Sequence, residues 1–117
     1  MPLYLLSSPQ VSGTVVQTIG AEAQTPGATV TIDVTDNNNL YNWTAGQNET
    51  IVISGSHTAG RTITLLINCD GTARTITFGS GLISSGAYVL TINVNHTITF
   101  ISNGTVFFER SRLTLTA

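Results

Sequence analysis

Two histidines, one cysteine, six acids and four arginines carry most of the reactive chemistry in this 117-residue chain. General acid–base work needs two titratable groups in one cleft. The acids are Glu22, Asp33, Asp36, Glu49, Asp70 and Glu109. Asp36 and Asp70 fall in turn signals, where Asp has an ordinary structural role. Glu22 and Glu49 lie in loop-like stretches, and Asp33 lies on the polar face of a strand. Asp33 with Glu109 is the one pairing left open for glycoside hydrolysis. His57 sits in a Gly/Ser loop and His96 at a hairpin tip, without the paired Cys or His-x-His spacing of a metal site. Both histidines are expected to be solvated, the alternative being a ring of three around a trimer axis. Cys69 has no base near it in sequence and reads as a half-buried structural thiol. The expectation is no enzyme, no catalytic residue, no metal and no cofactor.

Tyr41 and Trp43 share one face of the run 40–44, and with Phe78 or Tyr88 they could stack on a sugar. The competing reading places a lone Trp in an alternating strand in the core. Arg110 and Arg112 flank Ser111 and could pair with acids across an interface. Four Asn-x-Ser/Thr sequons, at Asn42, Asn48, Asn95 and Asn103, carry little in a chain this rich in Ser and Thr. No signal peptide is evident, so they are not expected to be glycosylated.

The elements that position these residues are strands. Val30, Ile32 and Val34 alternate with Thr and Asp, Ile63, Leu65 and Ile67 with Thr and Asn, and Ile98 and Phe100 with Thr. That period of two, over about nine runs, predicts strands throughout. Phe107 is expected to point opposite to Val106 and Phe108. Thr14–Ile19 is expected as a further strand. Asp70-Gly71 and Asn103-Gly104 are the dipeptides of two-residue hairpins. Short strands with regular turn signals predict an all-β fold, an antiparallel β-sandwich of jelly-roll type spanning 28–117. The preceding 1–27, with Pro2, Pro9 and Pro26 and poor alternation, are expected to form an arm or first strands and a contact segment.

Charged residues are only 9% of the chain, with no Lys and a net charge of -2, while mean hydropathy is +0.24. This makes the chain a poor candidate for binding nucleic acid by its phosphates or a membrane by a polybasic patch, and neither partner is expected. Charge is replaced by Thr, Ser, Asn and Gly. A Thr/Asn surface can meet another polypeptide without desolvating full charges, and interface cores are depleted in Lys, Glu and Asp. Val52, Val89, Ile101 and Phe107 lie opposite the alternation of their own strands. With Arg110 and Arg112 they are the candidate interface residues.

The runs Ala28-x-Val30-x-Ile32-Asp33, Gly60-Arg61-Thr62-Ile63-Thr64-Leu65 and Thr75-Ile76-Thr77-Phe78, closing on Thr99-Phe100-Ile101-Ser102-Asn103-Gly104-Thr105-Val106-Phe107-Phe108-Glu109, are similar to a small β-sandwich module of tailed-bacteriophage virion proteins. The resemblance covers roughly 28 to 112, and family members often carry Trp where this chain has Phe107. It implies a homotrimer and no catalytic residue. It also implies a virion structural protein. As a single small domain that starts at Met1, the chain is expected to be a capsid decoration (cement) protein. Such a protein is made in the host cytoplasm, then bound to the major capsid protein on the head surface. The alternative is a receptor- or glycan-binding tail fibre or spike module, with Tyr41, Trp43 or Tyr88 as contacts.

Overall fold

The structure is a computed structural model and describes residues 20–115. The expected strand at Thr14–Ile19 and most of the expected arm lie outside the described residues. Alternating β-branched residues make ten strands here, with one 3-10 turn at Val34–Asp36. The chain opens with β1 (Ala21–Ala23), turns at Pro26-Gly27 and crosses to β2 (Thr29–Asp33) in a second sheet. It returns as β3 (Leu40–Ala45), crosses again as β4 (Glu49–Ser54), returns as β5 (Thr62–Cys69) and crosses as β6 (Arg74–Phe78). Each return lies parallel beside the previous one, β1 to β3 to β5 in one sheet and β2 to β4 to β6 in the other. This is the winding of a two-sided β-solenoid. The last four strands close it. β7 (Leu82–Ile83) runs parallel to β10 (Phe107–Leu115), β8 (Tyr88–Leu90) antiparallel to β6, and β9 (Asn95–Ser102) antiparallel to both β5 and β10. The six-stranded sheet has the order β1-β3-β5-β9-β10-β7, and the four-stranded sheet β2-β4-β6-β8.

Two facing all-β sheets are as expected, but the pairing is solenoid-like in the first three windings, where an antiparallel sandwich was expected. The reason lies in the corners. Asp70-Gly71 does not make a hairpin: Gly71 avoids positive φ, and the chain passes from one sheet to the other. Asp70 holds that corner through the Thr72 amide at 3.1 Å and a two-armed pair with Arg74 at 2.8 and 2.9 Å. Asn103-Gly104 does join adjacent antiparallel strands, but through a longer loop, since Ser102 pairs with Phe107. There Gly104 has φ 98°, and Asn103 Oδ1 accepts from the Thr105 and Val106 amides.

Between the sheets, Tyr41, Trp43, Ile63, Leu65, Ile67, Ile98 and Phe100 meet Val30, Ile32, Ile51, Ile76 and Leu90 in one core. Each such side chain contributes about 1.5–3 kcal/mol on burial. Two charged residues are buried with them. Arg61 is 2% exposed and donates to the Val34 and Asn38 carbonyls and to Tyr41 Oη at 3.1 Å, which in turn donates to Asp36 at 2.7 Å. It ties the 3-10 corner to the start of β5. Glu49, expected in a loop, opens β4 and is 2% exposed. It accepts from Trp43 Nε1 at 2.7 Å and from the Gly27 amide at 3.3 Å, pinning the second winding to the first.

Phe107 is the main correction. It is fully buried in the core and Phe108 faces out, the reverse of the expected phase. Three consecutive apolar residues, Val106 to Phe108, leave the phase unmarked in the sequence. The Ser102–Phe107–Leu82 row fixes it, because all three are buried. Phe107 therefore cannot contact another subunit.

Two outcomes follow. Phe107→Asp should lose roughly 3–5 kcal/mol or fail to fold, through cavity and buried charge, whereas Phe108→Asp should keep the wild-type circular dichroism. Urea melts of both test this, and a wild-type midpoint for Phe107→Asp contradicts the phase. Burial pushes the Glu49 carboxyl above its ordinary value, with the Trp43 and Gly27 donors opposing. The folded state therefore holds the proton more tightly than the unfolded one. That contribution is complete below about pH 4.5 and is lost as pH rises through the folded value. Glu49→Gln should thus gain thermal stability over wild type as pH climbs towards neutrality. A difference that shrinks over that range refutes this.

Candidate functional site

Register fixes what each sheet presents outward, because side chains paired across strands share a face. On the six-stranded sheet, the inward rows include Tyr41–Leu65–Ile98 and Trp43–Ile67–His96. The outward rows alternate with them. Leu40, Thr64, Thr99 and Ser111 form one, and Asn42, Leu66, Thr97 and Leu113 form the next. Thr44, Asn68, Asn95 and Leu115 flank these on one side. Thr62, Ile101, Phe108 and Ile83 flank them on the other. Ala21 and Ala23 extend the face onto β1. None of these residues carries a charge. Leu113, Ile83 and Phe108 are 55%, 51% and 40% exposed. Polar atoms on the face bond to one another: Thr64 Oγ1 to Thr99 Oγ1 at 3.4 Å, and Asn68 Nδ2 to Asn95 Oδ1 at 3.1 Å.

Apart from the exposed Arg110 in β10, beside Ser111, the charges sit elsewhere. Glu22 lies on the edge strand, held above its ordinary value chiefly by a hydrogen bond with Asp36. Asp33 caps the 3-10 turn, with Thr35 Oγ1 at 2.6 Å and the Thr35 amide at 3.0 Å holding its carboxyl low. Arg110 occupies the bulge between Glu109 and Ser111. Arg112 grips both oxygens of Glu109 at 2.7 Å and lies over the Tyr88 ring at 4.7 Å. That grip, helped by the Ser85 amide at 3.1 Å, holds the Glu109 carboxyl below its ordinary value. Asp33 and Glu109 stand in different sheets with separate partners, so the open glycosidase pairing is not assembled.

Of the interface candidates, Ile101 lies on the uncharged face and Arg110 at its bulge. Val52 and Val89 lie on the outer side of the opposite sheet, Val89 64% exposed. Arg112 points to the inner row and serves the Glu109 corner. Of the glycan candidates, Tyr41 and Trp43 are core residues, and Tyr88 is covered by Arg112 and bonded to Thr114 at 2.9 Å.

Neither histidine is freely solvated: His57 is half-buried and His96 is buried. His57 packs on Phe107 with ring centroids 4.3 Å apart and bonds Ser102 Oγ, and burial lowers its pKa. His96 lies within β9 and is fully buried, meeting Tyr88 Oη and Thr114 Oγ1 at 3.2 Å and accepting from the Thr91 amide at 3.0 Å. Cys69 is buried outright, and burial raises its thiol pKa, the opposite of activation. Among the described residues no three of His, Cys, Asp and Glu gather as metal ligands.

Sequence reasoning placed Ile101 among the interface candidates and marked Leu66 only as a sign of burial on both faces, but missed Phe108, Leu113 and Ile83. The signal was present in Leu66, an extra apolar residue amid strict alternation. The face itself becomes visible only when register aligns strands far apart in sequence. Compared with protein-family models and with curated proteins, the chain finds no match in either.

Proposed function

We propose that this protein is a structural component of a phage virion, a capsid decoration (cement) protein. It binds the outer surface of the head as a homotrimer, bridges neighbouring major capsid proteins and stabilises the shell. The observation that carries this reading is the uncharged outer face of the six-stranded sheet, a surface suited to contact with polypeptide. The resemblance of 28–112 to virion β-modules supplies the setting. A clamp that binds only assembled heads stabilises them by mass action, and three linked copies multiply a weak single contact. The N-terminal stretch 1–27 is the segment assigned to the capsid contact, by strand addition at a capsid sheet edge or by lying in a groove. The glycan-binding alternative loses its platform, because Tyr41 and Trp43 are buried beneath the sheet.

Purified protein incubated with undecorated heads should bind in multiples of three and raise the temperature at which the heads release DNA. Heads that emerge from sedimentation without bound protein contradict the assignment.

A further inference from the structure

Loop 55–60, which carries the chain from β4 towards β5, is bracketed by two glycines in the left-handed region, Gly55 at φ 93° and Gly60 at φ 92°. Between them Ser56, Thr58 and Ala59 are exposed, and His57 is half-buried. Two contacts fasten the loop to the β9–β10 end. The Gly60 amide donates to the Ser102 carbonyl at 2.8 Å. His57 packs on Phe107 with its Nδ1 2.5 Å from Ser102 Oγ. Ser102 Oγ also accepts from the Gly104 amide at 2.8 Å, which leaves its one hydrogen for Nδ1. In that assignment Nδ1 is the acceptor and the imidazole is neutral.

A proton on Nδ1 reverses this bond. The ring must then donate, and the Ser102 hydrogen is turned back into a site where that residue is only 5% exposed. The new charge also feels the buried Arg61. Among the described residues Arg61 is the one charged group acting on the ring. Its other neighbours, Ser102, Thr105 and Phe107, carry no charge. We propose that loop 55–60 is an acid-opened flap: protonation of His57 breaks its bond to Ser102, frees the loop to swing on Gly55 and Gly60, and uncovers Phe107. This device stands apart from the virion reading. Its sign is fixed by the surroundings of the ring. Burial, then Arg61, lower the His57 pKa from its ordinary 6.5, against a hydrogen bond with the Thr105 backbone that favours the charged form. The open or unfolded loop therefore takes up the proton first. Closure keeps its full stability above about pH 6.5 and loses it as pH falls through the folded value.

The test is amide hydrogen exchange read by NMR on the full chain, as protection factors at about pH 7.5 and about pH 5, the range in which histidine changes charge. In wild type the Gly60 and Gly104 amides should lose protection at the lower pH, while the core amides of Leu65 and Phe100 keep theirs. His57→Phe retains a ring against Phe107 and leaves the buried His96 in place. Its Gly60 amide should be equally protected at both pH values. If that variant fails to fold, the wild-type His57 ring signals supply the second reading. They should titrate below 6.5, in step with the loss at Gly60. Wild-type protection that ignores pH overturns the proposal. So does a pH-dependent loss that persists in His57→Phe, or a ring midpoint at or above 6.5. Equal losses at Leu65 and Phe100 would mean that the whole fold yields, and they overturn the flap as well.

Discussion

The register of the six-stranded sheet is the constraint from which the other features follow. Once Leu65 of β5 is level with Tyr41 and Ile98, every second row is committed to the core, and the rows between are committed to the outside. A slip of one residue anywhere would exchange Ile63, Leu65 and Ile67 for Thr62, Thr64 and Leu66, exposing apolar surface and burying hydroxyls. Charges are then sparse within either set. They gather where rows end: at the edge strand with Glu22, at the corners with Asp36, Arg61 and Asp70, and around the β10 bulge with Glu109, Arg110 and Arg112. The uncharged outer face and the charged corners are two results of one alignment.

The corners in turn protect that alignment. Parallel windings have no tight hairpin to set their register, so something else must hold each crossing. Arg61 holds one by collecting the Val34 and Asn38 carbonyls and the Tyr41 hydroxyl. Glu49 holds another by joining Trp43 of its own winding to Gly27 of the one before. Both are buried polar groups of the kind that specify a single arrangement at some cost in stability. The antiparallel strands β8, β9 and β10 then end the winding, and the buried His96 ties β9 to Tyr88 of β8 and Thr114 of β10.

Much of this was legible in the sequence, and what was not has definite causes. Val30, Ile32 and Val34, and Ile98 and Phe100, mark their inward faces by plain alternation, and each is buried. Trp43 reads correctly as core for the same reason. The parallel winding was hidden because its steps are unequal: Ala21, Leu40 and Thr64 stand level, yet unevenly spaced along the chain. No fixed repeat remains to be found. Phe107 and Phe108 were inverted because an apolar triplet has no phase of its own. Burial of Glu49, Arg61 and His96 was illegible for a third reason. A polar side chain enters a core only if distant partners satisfy it, and those partners come from other windings.

The claim on which the account depends is that the outward rows of the six-stranded sheet are dry in the working form of the protein. Hydroxyl-radical footprinting of the assembled protein measures this directly. Phe108, Leu66 and Leu113 should be oxidised far more slowly than Val89, which is exposed on the outer side of the opposite sheet. Labelling of Phe108 and Leu113 at the pace of Val89 would show the face open to water and would contradict the account.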